Sequence, residues 1–124
     1  MSSSLDVLDA LKAVEETRSA LKNLAQSKPD DWVKQYALLR ASLGEKMGRL
    51  SASGSAWFRE RRDTAGDEKF SELLAASKTA MERHQARWPV VVIDHNNPEY
   101  LNSMAKVDAC TTDVGRFIRA KVAR

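Results

Sequence analysis

The chain has 124 residues, 43% of them hydrophobic and 30% charged, which is ordinary for a soluble globular protein with one core that needs no metal or disulfide. Its 20 basic and 17 acidic residues leave a net charge of +3, too small an excess to indicate nucleic-acid binding by itself. The single cysteine, Cys110, excludes an intramolecular disulfide and fits a reducing compartment. We therefore expect one cytoplasmic domain spanning residues 1–124.

The sequence disfavours both membrane insertion and export. No apolar run approaches the roughly 20 residues that a membrane-spanning helix requires. Residues 1–6 contain neither the basic nor the apolar region of a signal peptide. We expect no membrane partner and no signal peptide.

The first predicted helix begins after the serines at positions 2 to 4 and ends near Ser27 and Lys28, before Pro29. Its apolar residues recur every three, four or seven positions and form one stripe: Val7, Leu11, Val14, Leu21 and Ala25. Arg18 lies on the same stripe. We interpret it as an arginine that pairs with a carboxylate or reaches solvent at the bundle edge. The alternative is an anion-binding residue inside the bundle.

The second predicted helix opens at Pro29-Asp30-Asp31, because proline and acidic residues favour a first helical turn. Its stripe is the most regular in the chain and contains Trp32, Tyr36, Leu39, Leu43, Met47 and Leu50. Residues 51–55 are poor helix formers, yet Trp57 returns to the stripe if the helical phase continues. We prefer one continuous or kinked helix of about 35 residues over two helices with a break near Gly54.

A second face of this helix carries only small residues: Ala37, Gly44, Gly48 and Ser55. A glycine inside a helix costs about 1 kcal/mol relative to alanine. A closely packed neighbour against this face would explain that cost.

Residues 63–67 form a predicted turn, with Gly66 as the cap that ends one helix and Asp67 as the cap that begins the next. The third predicted helix places these residues on one face: Phe70, Leu73, Leu74, Ser77, Met81, His84 and Trp88. The fourth begins with Asn97-Pro98-Glu99, a capping residue followed by proline and an acid. Its buried face is predicted to contain Tyr100, Met104, Val107, Thr111, Val114, Ile118 and Val122.

Between these two helices lies an apolar connector, residues 89–96. Pro89 should end the third helix near Trp88. The β-branched residues 90–93 favour extended backbone. The sequence therefore predicts an all-α fold, an antiparallel bundle of three or four long helices with an extended apolar connector near 89–96.

Evidence for chemistry is sparse. No glycine-rich phosphate loop, nucleophile elbow or dinucleotide fingerprint occurs. His84, Asp94 and His95 could line a ligand or metal pocket, but no second histidine lies at helical spacing and no cysteine pair accompanies them. We therefore expect no enzyme activity, no cofactor and no metal, with a pocket near these three residues as the third hypothesis.

The segment from Trp57 to Arg62 most resembles a binding surface, because it combines aromatic residues with arginines. We predict a non-enzymatic helical module that binds another protein or itself, with a homodimer favoured. The candidate contact residues are Leu50, Trp57, Phe58, Arg59, Arg61 and Arg62. The alternative is a nucleic-acid-associated protein that uses residues 57–62 and the basic end formed by Arg116, Arg119, Lys121 and Arg124. A structural explanation also exists, in which Trp57 is a core residue and the arginines are a solvated helix end.

Overall fold

A computed structural model describes residues 3–94 and 96–123, and within these ranges the chain consists of long helices and contains no strand. The helices are α1 (Ser4–Ser27), α2 (Trp32–Glu60), α3 (Thr64–Arg87) and α4 (Pro98–Val122). The all-α bundle predicted from periodicity is confirmed, with four helices. No helix in the described part of the chain is both long enough and apolar enough to span a membrane.

The bounds of α1 follow from its capping residues. The Ser3 hydroxyl accepts a hydrogen bond from the Asp6 backbone N–H at 3.0 Å, and the Asp6 carboxylate accepts one from the Ser3 N–H. These reciprocal bonds satisfy two donors that a helix start leaves unpaired. At the other end Lys28 adopts a left-handed conformation, φ 43°, and its N–H bonds to the Leu24 carbonyl. The predicted end of the first helix is confirmed.

α2 runs without interruption through residues 51–55, which confirms the continuous helix and excludes a break at Gly54. Gly54 is buried, and a Cβ atom placed there would lie 2.4 Å from Cζ of Phe70 on α3. Glycine is therefore required at this position for the ring of Phe70 to contact the backbone of α2. Helix continuity survives the weak local propensity because tertiary packing supports it.

The turn between α2 and α3 differs from the prediction. Asp63, not Asp67, caps α3, and its carboxylate accepts a hydrogen bond from the Gly66 N–H at 2.9 Å. Gly66 lies buried in the first turn of α3 and does not end α2. The left-handed residue near the end of α2 is Arg62, with φ 55°. The predicted capping roles of Gly66 and Asp67 were wrong. The carboxylate of Asp63, the residue just before α3, accepts the hydrogen bond that caps the helix.

The connector is also less extended than its valines suggest. Val90–Val92 forms a 3₁₀ turn, in which the Val92 N–H bonds to the Pro89 carbonyl at 3.0 Å. The valines adopt this turn despite their preference for extended backbone, and Ile93, which follows the turn, is buried in the core. The expectation of a fully extended 89–96 segment is corrected for the described residues; His95 lies outside them. Asn97 caps α4 as predicted, accepting from the Glu99 N–H at 2.9 Å.

α1 packs mainly on α2, and α3 mainly on α4. The two pairs join through an aromatic cluster around Phe58 on α2, whose ring centroid lies 5.0 Å from Trp57, 5.7 Å from Phe70 and 5.8 Å from Phe117. These contacts bury Trp57 and Phe58 near the C-terminal end of α2. Ion pairs join α1 to α4 directly: Asp108 accepts hydrogen bonds from Arg18 and Lys22, and Glu15 accepts one from Arg119.

Candidate functional site

The structure brings the aromatic part of the 57–62 segment into the core. Leu50 and Phe58 are each 1% exposed and Trp57 is 6% exposed. The Trp57 indole N–H donates to the Ser4 hydroxyl at 3.1 Å, which fixes the start of α1 against the end of α2. The expectation that these three side chains are open to a partner is therefore corrected, because this chain's own helices cover them.

The arginines of the same segment remain at the surface. Arg61 lies over the Trp57 ring, 4.0 Å from its centroid, and donates to the Trp57 carbonyl at 3.0 Å. Arg59 Nε lies 3.7 Å from an Asp67 carboxylate oxygen. Arg62 is exposed. Contact between these arginines and a partner stays a prediction.

The described residues of the predicted ligand or metal pocket lie in different environments, one buried and one exposed. His84 is 5% exposed inside the bundle, where its Nδ1 lies 2.7 Å from the Ser103 hydroxyl on α4. Asp94 is exposed on the connector and accepts from the Asn96 N–H. His95 lies outside the described residues. Across 3–94 and 96–123, no three His, Cys, Asp or Glu side chains are grouped to hold a metal ion.

A groove runs between α2 and α3, with a volume of about 640 Å³. Its floor is apolar and consists of Leu43, Met47, Leu74 and Met81, all largely buried. Its α2 wall contains Gly44 and Gly48, and a Cβ atom added at either glycine would meet nothing within 4 Å. Of the predicted small face, Gly44 and Gly48 line the groove, whereas Ala37 and Ser55 do not. The closely packed neighbour expected against this face is absent at the two glycines among the described residues.

The charged residues that line the groove are Arg40 on α2 and, one helical turn apart on α3, Lys78 and Glu82. Lys78 and Glu82 are exposed, and neither forms an ion pair with another described residue. The α3 edge of the groove is thus charged but balanced in sign. Glu45 and Arg49 are also exposed on α2 but lie outside the lining of the groove.

A second groove lies between α3 and α4, with a volume of about 880 Å³. Small residues dominate its walls: Ala75, Ala76, Ala80, Ser103, Ala109 and Cys110. At one end Arg87 pairs with Glu99 at 2.5 Å. α3 therefore has an accessible groove on each side.

Comparison with known proteins finds no match for this chain among protein-family models, curated proteins or solved structures.

Proposed function

We propose that the chain is a non-enzymatic protein-binding module that pairs with a second copy of itself through the groove between α2 and α3. The observation that carries this proposal is the pair of helical glycines facing open space. Gly44 and Gly48 each cost the helix about 1 kcal/mol relative to alanine, and no intramolecular contact explains that cost. A helix approaching closely from outside would explain it, because glycine allows two helix backbones to come together.

The charges on the α3 edge of the groove favour a second copy as the occupant. A two-fold interface joins one surface to itself, so the surface must be complementary to its own rotated image. An antiparallel α2–α2 contact that places Gly44 opposite Gly48 would also bring α3 of the two copies together, with Lys78 of one copy near Glu82 of the other. An acid and a base one turn apart, both lining the groove, are what such symmetry requires.

Hydrophobic contact would stabilise the pair, and the charges would set its orientation. The partly accessible edges of Met47 and Met81 offer flexible apolar surface to an incoming helix. The edge charges stay near solvent, where they contribute to specificity more than to affinity. Cytoplasmic location fits the single cysteine and remains part of this proposal.

Gly48→Leu tests the groove directly. The leucine would extend into space that is open in one copy and occupied in a dimer, so helical content should be retained while the dimer is lost. Ala41→Leu is the matched control, because Ala41 is exposed on α2 and does not line the groove. Sedimentation velocity should show dimers for the parent chain and Ala41→Leu, and monomers for Gly48→Leu. A monomeric parent chain at its highest soluble concentration would overturn the proposal.

The nucleic-acid alternative remains a prediction that a separate measurement can test. Arg59, Arg61 and Arg62 are at the surface, and binding that depended on them would weaken steeply with added salt. No binding to duplex DNA at low ionic strength would remove this alternative.

A further inference from the structure

We propose that a small cavity inside the bundle binds a monatomic anion of the size of chloride. The cavity has a volume of about 20 Å³, and α1, α2, α3 and α4 all contribute to its walls. A site of this size admits about one water-sized particle. This proposal rests on observations other than those that carry the dimer, although Arg40 and Gln85 line both the cavity and the α2–α3 groove.

The charged side chains that line the cavity are both hydrogen-bond donors: Arg18 and Arg40 supply guanidinium groups, which cannot accept. The Tyr36 hydroxyl, the Gln85 amide and the His84 imidazole can each donate or accept, and no carboxylate lines the cavity. The other lining residues are apolar: Leu21, Leu43, Met81, Met104 and Val107. Two cationic groups without a carboxylate in the lining favour an anion over a cation.

His84 provides an independent sign that a ligand is missing. Its Nε2 atom is fully buried and has no hydrogen-bond partner among the described residues. Its other nitrogen, Nδ1, is bonded to Ser103, which lines the α3–α4 groove and not the cavity. His84 lines both spaces, and because Nδ1 lies on the side of the groove, we take Nε2 to lie on the side of the cavity. A buried polar atom without a partner is costly, and an anion accepting from Nε2–H would remove that cost.

The charge balance also favours an anion. Arg18 and Lys22 share one carboxylate, Asp108. Arg40 donates to the Trp88 carbonyl at 2.8 Å and lies over the Tyr36 ring, but pairs with no carboxylate in the described chain. These three cations thus have one carboxylate between them, and Arg40 is the one without a carboxylate partner in the described chain. Burial, followed by the charges of Arg40 and Arg18, lowers the pKa of His84 to about 4, so the imidazole is neutral at pH 7 and neither adds to nor offsets the charge of Arg40.

Two residues of the cavity wall also border the α2–α3 groove, which is open to solvent. Arg40 and Gln85 line both the cavity and the α2–α3 groove. Their side chains are partly exposed, so a rotamer change in either would connect the cavity to solvent.

Thermal unfolding in sodium chloride and in sodium gluconate at equal ionic strength separates anion binding from general screening, because gluconate is too large for the cavity. The parent chain should show a melting temperature that rises with chloride and saturates, as expected for a ligand that binds the folded state. Arg40→Gln should bind chloride at least tenfold more weakly. Arg83→Gln is the control, because Arg83 is exposed on α3 and does not line this cavity, and it should respond to chloride as the parent chain does.

A direct measurement on the parent chain keeps the test independent of any folding defect in Arg40→Gln. Crystals grown in bromide should give an anomalous peak in the cavity, within hydrogen-bond distance of His84 Nε2. A water molecule there without anomalous signal, or equal melting temperatures in chloride and gluconate, would overturn the proposal.

Discussion

The imidazole of His84 is held neutral in a polar pocket within an otherwise apolar core. Desolvation by burial is the main reason that its pKa falls from 6.5 to about 4, with the nearby Arg40 and Arg18 adding to the effect. The unfolded chain therefore binds a proton more readily than the folded chain between these two values. Stability attributable to His84 is full above pH 6.5 and is lost as the pH falls towards 4.

The free energy of unfolding should therefore decrease as the pH falls below 7. Between pH 7 and pH 5 the free energy of unfolding should fall by roughly 2 kcal/mol because of His84 alone. Urea unfolding in chloride-free buffer should show this slope for the parent chain and not for His84→Phe, which keeps the ring contact with Tyr100. Equal slopes for the two proteins would show that another group dominates.

Residues of the cavity illustrate what a single sequence can and cannot indicate. Arg18 was interpreted from its place on the α1 stripe as a partner for a carboxylate, and the structure identifies that carboxylate as Asp108. The convergence of Arg18, Tyr36 and His84 on one cavity could not be predicted, because it depends on the relative rotation of three helices. Helical periodicity indicates which face of each helix is buried, but it does not indicate which face of a neighbouring helix packs against it.

At the scale of elements, α2 contains glycines with opposite roles. Gly54 is packed against Phe70, whereas Gly44 and Gly48 face open space. The backbone conformation at these glycines is one that other residues adopt, since none has a positive φ. Alanine should therefore be tolerated in place of Gly44 or Gly48, where space exists, and should be destabilising in place of Gly54, where the Phe70 ring lies.

In dilute protein, where the chain is monomeric, Gly48→Ala should raise the free energy of unfolding by about 1 kcal/mol. Gly54→Ala should lower it by about 1–3 kcal/mol, because its Cβ would overlap the Phe70 ring and force the core to move. Denaturant unfolding monitored by circular dichroism measures both changes. A gain in stability from Gly54→Ala would show that the contact with Phe70 relaxes freely.

The elements themselves were largely predictable, and the errors have physical causes. Apolar periodicity identified all four helices, and the phase of Trp57 correctly indicated that α2 continues through residues 51–55. Phe58 was assigned to a binding surface because it lies in a segment that combines aromatic residues with arginines, yet it contacts Phe70 on α3 and Phe117 on α4. The valines of the connector were expected to be extended, but local preference gave way to the turn that places Ile93 in the core.

The whole molecule is two helical hairpins joined along one side by apolar packing and along the other by a polar link. α1 and α4 share few contacts, so the ion pairs of Asp108 with Arg18 and Lys22 carry much of their connection. Burial alone would raise the pKa of Asp108, but hydrogen bonds from Lys22 and Arg18 outweigh it and lower this pKa below its ordinary value. The carboxylate is therefore charged at neutral pH.

Removing that charge should loosen the contact between α1 and α4. Asp108→Asn should lower the free energy of unfolding by about 1–2 kcal/mol, because Arg18 is nearly buried and would lose its charged acceptor. Arg119→Gln removes the more exposed pair with Glu15, 2.6 Å, and should change stability by only about 0.5 kcal/mol. Equal effects of the two substitutions, measured by urea unfolding, would contradict this account of the polar link.

Pairing of two copies through the α2–α3 groove is the central functional claim, and exchange of the charges on its α3 edge tests it most directly. Lys78→Glu and Glu82→Lys should each weaken the dimer, by about tenfold or more, because like charges would then face each other across the two-fold axis. The double variant should restore the parent affinity. Glu16→Arg, on an exposed face of α1, should leave the dimer unchanged. Sedimentation equilibrium measures the dissociation constants of the parent chain and the four variants: recovery in the double variant is the predicted result, and a double variant no tighter than either single variant would contradict it.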